Sequence, residues 1–562
     1  MIFPKSFFCF VLIALLLGQL PNECVVVGQQ PSTTSARMFP SDCVLLASIA
    51  DASVLQKQFG TSNIGKLVQS DDIPAILNGL FSKLQLRSAS FYDMFGLSFD
   101  ELVAVPSGEL TFAMFPEGDS LSYAVVVDAK EELPAVAILL GRIESKLSRK
   151  GWSKTIKKIG SLDVVQLRMG SAYELAYFFG TDHAVICSRT ARAEEFAAKF
   201  LQNTNDTLDS SPEYRHARTS LQLRGNPSAT FFFRAAPVAK QLLKFSSTFL
   251  APEQVEKTER LVEESVDSIF GGIYFGLDGK DALVDIHVHR KGNTIKDVAL
   301  QTRGPDLFIP EAWVPSNSVG YSSLALDVGQ FTEKLLGTLK DIGINLGLFA
   351  MGGQVGKSVS NFFGSRYSFA SLGSGESIFG IRVKDNEAFR GQVLNVIRSS
   401  LLSYDRGWKT EEQSGETISV LDKSDGTKMP RDVFSFGLRG KDFFVVKNLK
   451  DFFKSTITVD DEGIGSEIEF KLVAEQLRRE ATGKQQVLAQ FLSVERYFEN
   501  LSNAQPAPGT KSSNETANHF GFTMEDLTSL YRGIATCIGP LGALLATDEK
   551  DIRYSVFTLR RN

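Results

Sequence analysis

The sequence is poor in the residues that move protons near neutral pH. Only 5 His and 3 Trp occur among 562 residues, beside 5 Cys. Histidine is the side chain whose ordinary pKa falls in that range, so acid–base chemistry has few candidates. Cys-x-x-Cys, Gly-x-Ser-x-Gly and His-Glu-x-x-His are all missing, which removes the common zinc, redox and nucleophile-elbow signatures. Charge of one sign is missing too. Lys+Arg 60 against Asp+Glu 65 leaves −5, so no basic excess points to nucleic acid or an anionic membrane. With 19 Pro, 46 Gly and 43% hydrophobic residues, collagen-like and wholly disordered chains are excluded. Phenylalanine is the residue in excess, at 43. It suits strands and fills sheet–helix cores.

Residues 1–28 read as a signal peptide. Lys5 opens it, an apolar run covers 7–17, and Val26-Val27-Gly28 offers a cleavage site before Gln29. That run is shorter than the roughly 20 residues that span a bilayer. No later stretch approaches eighteen apolar residues, so the mature chain is expected to carry no transmembrane span and to be secreted or periplasmic. Cleavage removes Cys9 and Cys24. Cys43, Cys187 and Cys537 remain, spaced too widely to imply a disulfide framework or a zinc pair.

Internal matches dominate the rest of the chain. Met38-Phe39-Pro40-Ser41-Asp42 before Val44-Leu45-Leu46 resembles Trp313-Val314-Pro315-Ser316-Asn317 before Val319-Gly320-Tyr321. Val125-Val126-Val127-Asp128 leads to Gly151-Trp152, as Ile381-Arg382-Val383-Lys384-Asp385 leads to Gly407-Trp408. Asp182 to Ile186 matches Asp442 to Val446, Val238 to Leu242 matches Val473 to Leu477, and Gly272…Asp278-Gly279-Lys280-Asp281 matches Gly542…Asp548-Glu549-Lys550-Asp551. Matches in the same order imply one unit written twice, over 38–290 and 313–562, with a connector at 291–312. The Pro/Ser/Asn-rich stretch 502–518 has the composition of a mobile insertion.

Within a copy the elements are mixed. Leu133, Val136, Leu140, Ile143 and Leu147 predict a helix with one apolar stripe, Asp128 and Glu131 supplying a capping box. Val255, Val262, Val266 and Ile269 predict a second. Asp278-Gly279 between two apolar runs predicts a hairpin, and runs at 162–167, 173–179 and 184–187 predict a meander. Adjacent strands with separate helices indicate α+β: two tandem copies of a mainly antiparallel sheet packed with helices.

Chemistry is thinly marked. Met351-Gly352-Gly353-Gln354-Val355-Gly356-Lys357-Ser358 resembles a phosphate-binding loop but has Met351 where the first glycine belongs, so no nucleotide is expected. Asp285, His287 and His289 alternate along one strand face, as metal ligands can. The matched positions in the second copy are Ser555, Phe557 and Leu559, so this triplet is not expected to form a metal site that the fold needs. Gly151-Trp152 and Gly407-Trp408 recur in both copies and read as turn and packing residues. No catalytic, cofactor-binding or metal residue is assigned.

A signal peptide followed by two α+β copies, each opening on Pro-Ser-Asp/Asn before a strand and carrying Gly-Trp after a helix, resembles the uncharacterised secreted domain-of-unknown-function proteins of planctomycete-like bacteria. That resemblance implies export and a duplicated fold, and no site residues. The function expected is non-catalytic: binding a protein partner or an envelope component, with no nucleic acid, nucleotide or cofactor. An exported hydrolase with carboxylates between the copies is the alternative, and a carrier of an apolar ligand the third.

Overall fold

The computed structural model describes residues 34–69, 107–291, 306–327, 362–399, 408–421, 433–453, 463–503 and 524–561, less a few isolated positions within them. The signal-like residues 1–28, the glycine-rich segment 351–358 and nearly all of 502–518 lie outside the described residues. Ser502 and Asn503 close the helix Val494–Asn503.

Alternating burial carries much of the chain into strands. Ten come first: β1 (Leu45–Ile49), β2 (Leu110–Glu117), β3 (Ser120–Asp128), β4 (Ser153–Ile159), β5 (Leu162–Met169), β6 (Tyr173–Phe179), β7 (His183–Cys187), β8 (Ala229–Arg234), β9 (Val266–Phe275) and β10 (Lys280–Arg290). Ten follow: β11 (Gly320–Ala325), β12 (Phe363–Gly373), β13 (Glu376–Val383), β14 (Trp408–Gln413), β15 (Glu416–Leu421), β16 (Phe434–Arg439), β17 (Asp442–Lys447), β18 (Gln485–Leu492), β19 (Leu541–Thr547) and β20 (Asp551–Leu559). They form one sheet in which every pairing is antiparallel. The fold is α+β.

The spatial order is β4-β5-β6-β7-β3-β2-β1-β8-β9-β10, then β20-β19-β18-β11-β12-β13-β17-β16-β15-β14. The second ten strands repeat the order of the first in mirror sequence about the β10–β20 pair. Asp285 lies directly opposite Ser555 there. Those two positions also correspond in the Gly272/Gly542 sequence match.

Four of the five sequence matches fall on corresponding strands or their flanks. The fifth does not. Val238 to Leu242 lies in a helix after β8, Ala235–Ser246, whereas Val473 to Leu477 lies in a helix before β18, Ile468–Glu480. Both are short amphipathic stretches, and helical patterning alone makes them alike. The helix that occupies the place of Ile468–Glu480 in the first half is Pro212–Gln222.

Two helix boundaries also differ from the sequence reading. The helix bearing Val136, Leu140 and Leu147 starts at Leu133, after a 3-10 turn at Lys130–Glu132. Asp128 accepts from Lys130 N at 3.2 Å instead of closing a capping box with Glu131, and Pro134 sits in the first turn, where its missing N–H needs no partner. The helix Pro252–Ser265 ends where β9 begins, so Val266 and Ile269 belong to the strand. Ladder bonds to β8 and β10 outweigh the three-and-four spacing there. The β9–β10 turn matches its sequence signal: Asp278 and Gly279 have φ of 52° and 78°, the twist that a two-residue hairpin turn favours.

Each half buries its own core. In the first, Trp152 packs with Val136, Leu140 and Leu147 over the β5–β7 meander. In the second, Trp408 packs with Phe389, Phe436 and Phe443. Gly151, at φ 86°, makes the turn before Trp152. A shared layer crosses the seam, where Tyr274 and Leu283 join Phe557, Val473 and Leu544 in one cluster.

Candidate functional site

The described residues with the densest charge lie on the buried face of β10 and β20. Side chains alternate along a strand, so Asp285, His287 and His289 share a face with Arg553, Ser555 and Phe557 across the pair. The helices Pro212–Gln222 and Ile468–Glu480 end over this seam and deliver Arg224, Arg479 and Glu480. Helix C-termini carry partial negative charge, which favours the cations placed there.

Asp285 is the centre of the arrangement and is 0% exposed. It accepts from Arg553 Nε at 2.7 Å, from Ser555 Oγ at 2.7 Å and from Arg224 Nε at 3.2 Å, and His287 Nε2 lies 3.0 Å away. Glu480 collects three cations: Lys280 Nζ at 3.0 Å, Arg553 at 2.8 Å, and Arg224. Lys280 is 2% exposed and lies over the Phe557 ring. Burial pulls the Lys280 ammonium below its usual pKa, and Arg224 adds to the effect. Burial likewise lowers the Arg224 and Lys484 values.

A cavity of about 490 Å³ opens at this end of the seam, lined by Arg224, Lys280, Arg479, Lys484 and Arg553 against only Asp278 and Glu480 as carboxylates. Lys484 makes no ion pair among the described residues. Two other cavities bear on function. One of about 650 Å³ lies in the first half, bounded also by Lys291, and holds Asp42, Glu213, Glu263 and Asp267. Burial pushes the Asp267 carboxyl up, and Glu213 pushes it further. The other, walled by Phe308, Phe470 and Phe491, encloses about 10 Å³.

At the opposite end of β10, His289 Nδ1 lies 2.7 Å from Asp551 Oδ1, and His216 Nε2 lies 3.4 Å from Oδ2. Burial opposes the charge on Asp551, but the two imidazoles outweigh it and hold the carboxyl below its usual range. The strand triplet Asp285, His287, His289 is therefore split. His287 turns to Asp285 and stacks on Phe270 with ring centroids 4.8 Å apart, while His289 faces Asp551. The sequence-matched residues of the second half, Ser555, Phe557 and Leu559, are all buried, and only Ser555 lies opposite a member of the triplet.

No family model and no curated protein matches the chain. A solved structure described as crystal form IV of TP0453 aligns with 46% of this chain and 81% of its own, at 9% identity and a TM-score of 0.25. No helix among the described residues is long and apolar enough to cross a membrane.

Arg224, Lys280, Glu480, Lys484 and Arg553 carry no sequence motif. The legible signal was charge on the buried side of an alternating strand: Asp285 and Arg553 both occupy positions that patterning assigns to the core. Their partners arrive from the ends of distant helices, which no spacing in the sequence encodes.

Proposed function

We propose that the chain is an exported, non-catalytic binding protein that holds a compact anionic group, a carboxylate or a phosphate, in the cleft between its two copies. The observation that carries this reading is the lining of that cleft, five cationic side chains against two carboxylates, of which Lys484 alone makes no ion pair among the described residues. A partly buried cation without a partner is costly, and an anion seated beside Lys484 relieves that cost. Lys484, unpaired and with its pKa lowered by burial, supplies the free charge. Arg224, Lys280 and Arg553 are fixed by Asp285 and Glu480, so the cleft is held in shape before a ligand arrives. The partner bearing the anion is an envelope component or another exported protein. Export rests on residues 1–28 and on the resemblance to secreted proteins.

The alternatives fit the geometry less well. Hydrolysis by carboxylates between the copies requires one carboxyl free to give and take a proton. Glu480 is instead held by three cations. The carboxylate-rich cleft that does exist lies in the first half, around Asp267. An apolar carrier needs a cavity of several hundred Å³, against about 10 Å³ for the Phe-lined one.

The test is a thermal-shift comparison of phosphate, acetate, succinate and citrate with chloride at one ionic strength, on wild type and Lys484→Gln. A rise in melting temperature with one of the oxyanions, reduced in the variant, is expected. Equal responses to all salts in both proteins would contradict the proposal.

A further inference from the structure

We propose that His216, His289 and Asp551 bind a divalent transition metal ion, zinc by preference, and that the ion ties the two halves together at the far end of the seam. His216 comes from the helix Pro212–Gln222 and His289 from β10, both in the first half. Asp551 opens β20 in the second. Their ligand atoms all lie within 4.8 Å of one another. Two imidazoles and a carboxylate are a donor set that suits zinc, with a fourth position left for water.

The geometry is close to what coordination requires. Bonds of about 2.0–2.1 Å at tetrahedral angles put ligand atoms roughly 3.3–3.4 Å apart. The His216–Asp551 edge is already 3.4 Å. The His289 contact, 2.7 Å, is to the other oxygen, Oδ1, so binding through one oxygen requires the carboxylate to turn and the His289 contact to open by about 0.6 Å. The two rings overlap at a 35° tilt with centroids 4.0 Å apart, which keeps their nitrogens on the same side of Asp551. His216 Nε2 is shielded from solvent and makes no hydrogen bond. With its proton on Nδ1, His216 would offer the Nε2 lone pair to an ion seated beside Asp551.

The surroundings favour a cation at this place. Asp267 lies on the neighbouring strand β9, next to Ser268, which pairs with His289. The nearby Arg290 guanidinium is turned away, donating to the carbonyls of Asp548 and Lys550. The ligand side chains are 32%, 18% and 12% exposed, so an ion can reach them. Asp281, which corresponds to Asp551 in the other hairpin, instead accepts from the backbone N–H of Asn63 at 2.8 Å. The two-histidine arrangement therefore belongs to one end of the seam only. His287 is outside the ligand set, committed to Asp285 and Phe270.

The experiment uses the full mature chain, stripped with EDTA and dialysed, titrated with ZnCl2 by calorimetry and with CoCl2 by visible absorption. One zinc per chain is expected, with tetrahedral cobalt bands and a melting temperature raised by about 2–4 °C at a hundredfold excess over Kd. His216→Ala, His289→Ala and Asp551→Asn should each weaken zinc binding at least about a hundredfold, whereas His287→Ala and His183→Ala should retain it. Wild-type protein that takes up no stoichiometric zinc overturns the site, whatever the variants do. Binding that persists in His216→Ala overturns the ligand assignment. Stoichiometric binding without any rise in melting temperature overturns the tie between the halves.

Discussion

Replacing Asp285 with alanine removes the anion around which the seam is organised. The carboxylate is 0% exposed and directly holds Arg553, Arg224, Ser555 and His287. Deleting it leaves two guanidiniums, 8% and 14% exposed, with only Glu480 to share. Breaking a buried pair by removing one partner costs about 3–5 kcal/mol, mostly the penalty of the orphaned charge. Asp285→Ala is therefore expected to destabilise by about that amount, read from the urea midpoint of unfolding. Ser555→Ala removes one neutral donor and should cost about 1 kcal/mol. Hydrogen exchange locates the damage: peptides from β10 and β20 should lose protection, while the distant β4–β7 meander keeps it. A cost below about 1 kcal/mol for Asp285→Ala, or a loss of protection spread evenly over the sheet, would show that Asp285 does not organise the seam.

Other expectations concern the rest of the molecule. A Cβ on Gly380 would lie 2.6 Å from the Trp313 ring and 2.9 Å from Phe444, so Gly380→Ala should destabilise by roughly 1–3 kcal/mol, seen as a lower melting temperature. The Cys43 thiol is pushed up to about 12 by burial, and Cys187 is equally buried; both should resist a thiol reagent in native protein and react after denaturation. Glu174 accepts from Thr190 N at 3.0 Å, at the start of the helix Thr190–Gln202, and that bond lowers its pKa. Its folded value lies below the unfolded one, about 4.3, so its contribution is present above that pH and is lost as pH falls below it. Glu174→Gln should flatten the acid side of the stability profile, measured by melting temperature against pH.

Much of the fold was legible because it is local. The Asp278-Gly279 turn, the 162–187 meander and the stripe from Leu133 to Leu147 each depend on residues close in sequence, and each lies where patterning placed it. The repeated Pro-Ser-Asp/Asn and Gly-Trp signals mark β1 and β11, β4 and β14. Patterning failed where tertiary pairing overrides it, as at Val266 and Ile269, which continue a helical spacing but extend into β9. It failed again where two helices merely resembled each other, as at Val238 and Val473. The candidate site was nearly invisible for the same reason. His216 and Asp551 are brought together only by the β10–β20 pairing, and Glu480 meets Arg224 only because two corresponding helices end over one seam.

The central claim is that the cleft between the halves binds an anion. Calorimetric titration of the most stabilising oxyanion into wild type and into Lys484→Gln tests it directly. One site per chain is expected in the wild type, weakened at least about tenfold in the variant, while the variant's own melting temperature is undiminished because a charge disfavoured by burial has been removed. No saturable heat in the wild type, or an unchanged affinity in Lys484→Gln, would contradict it.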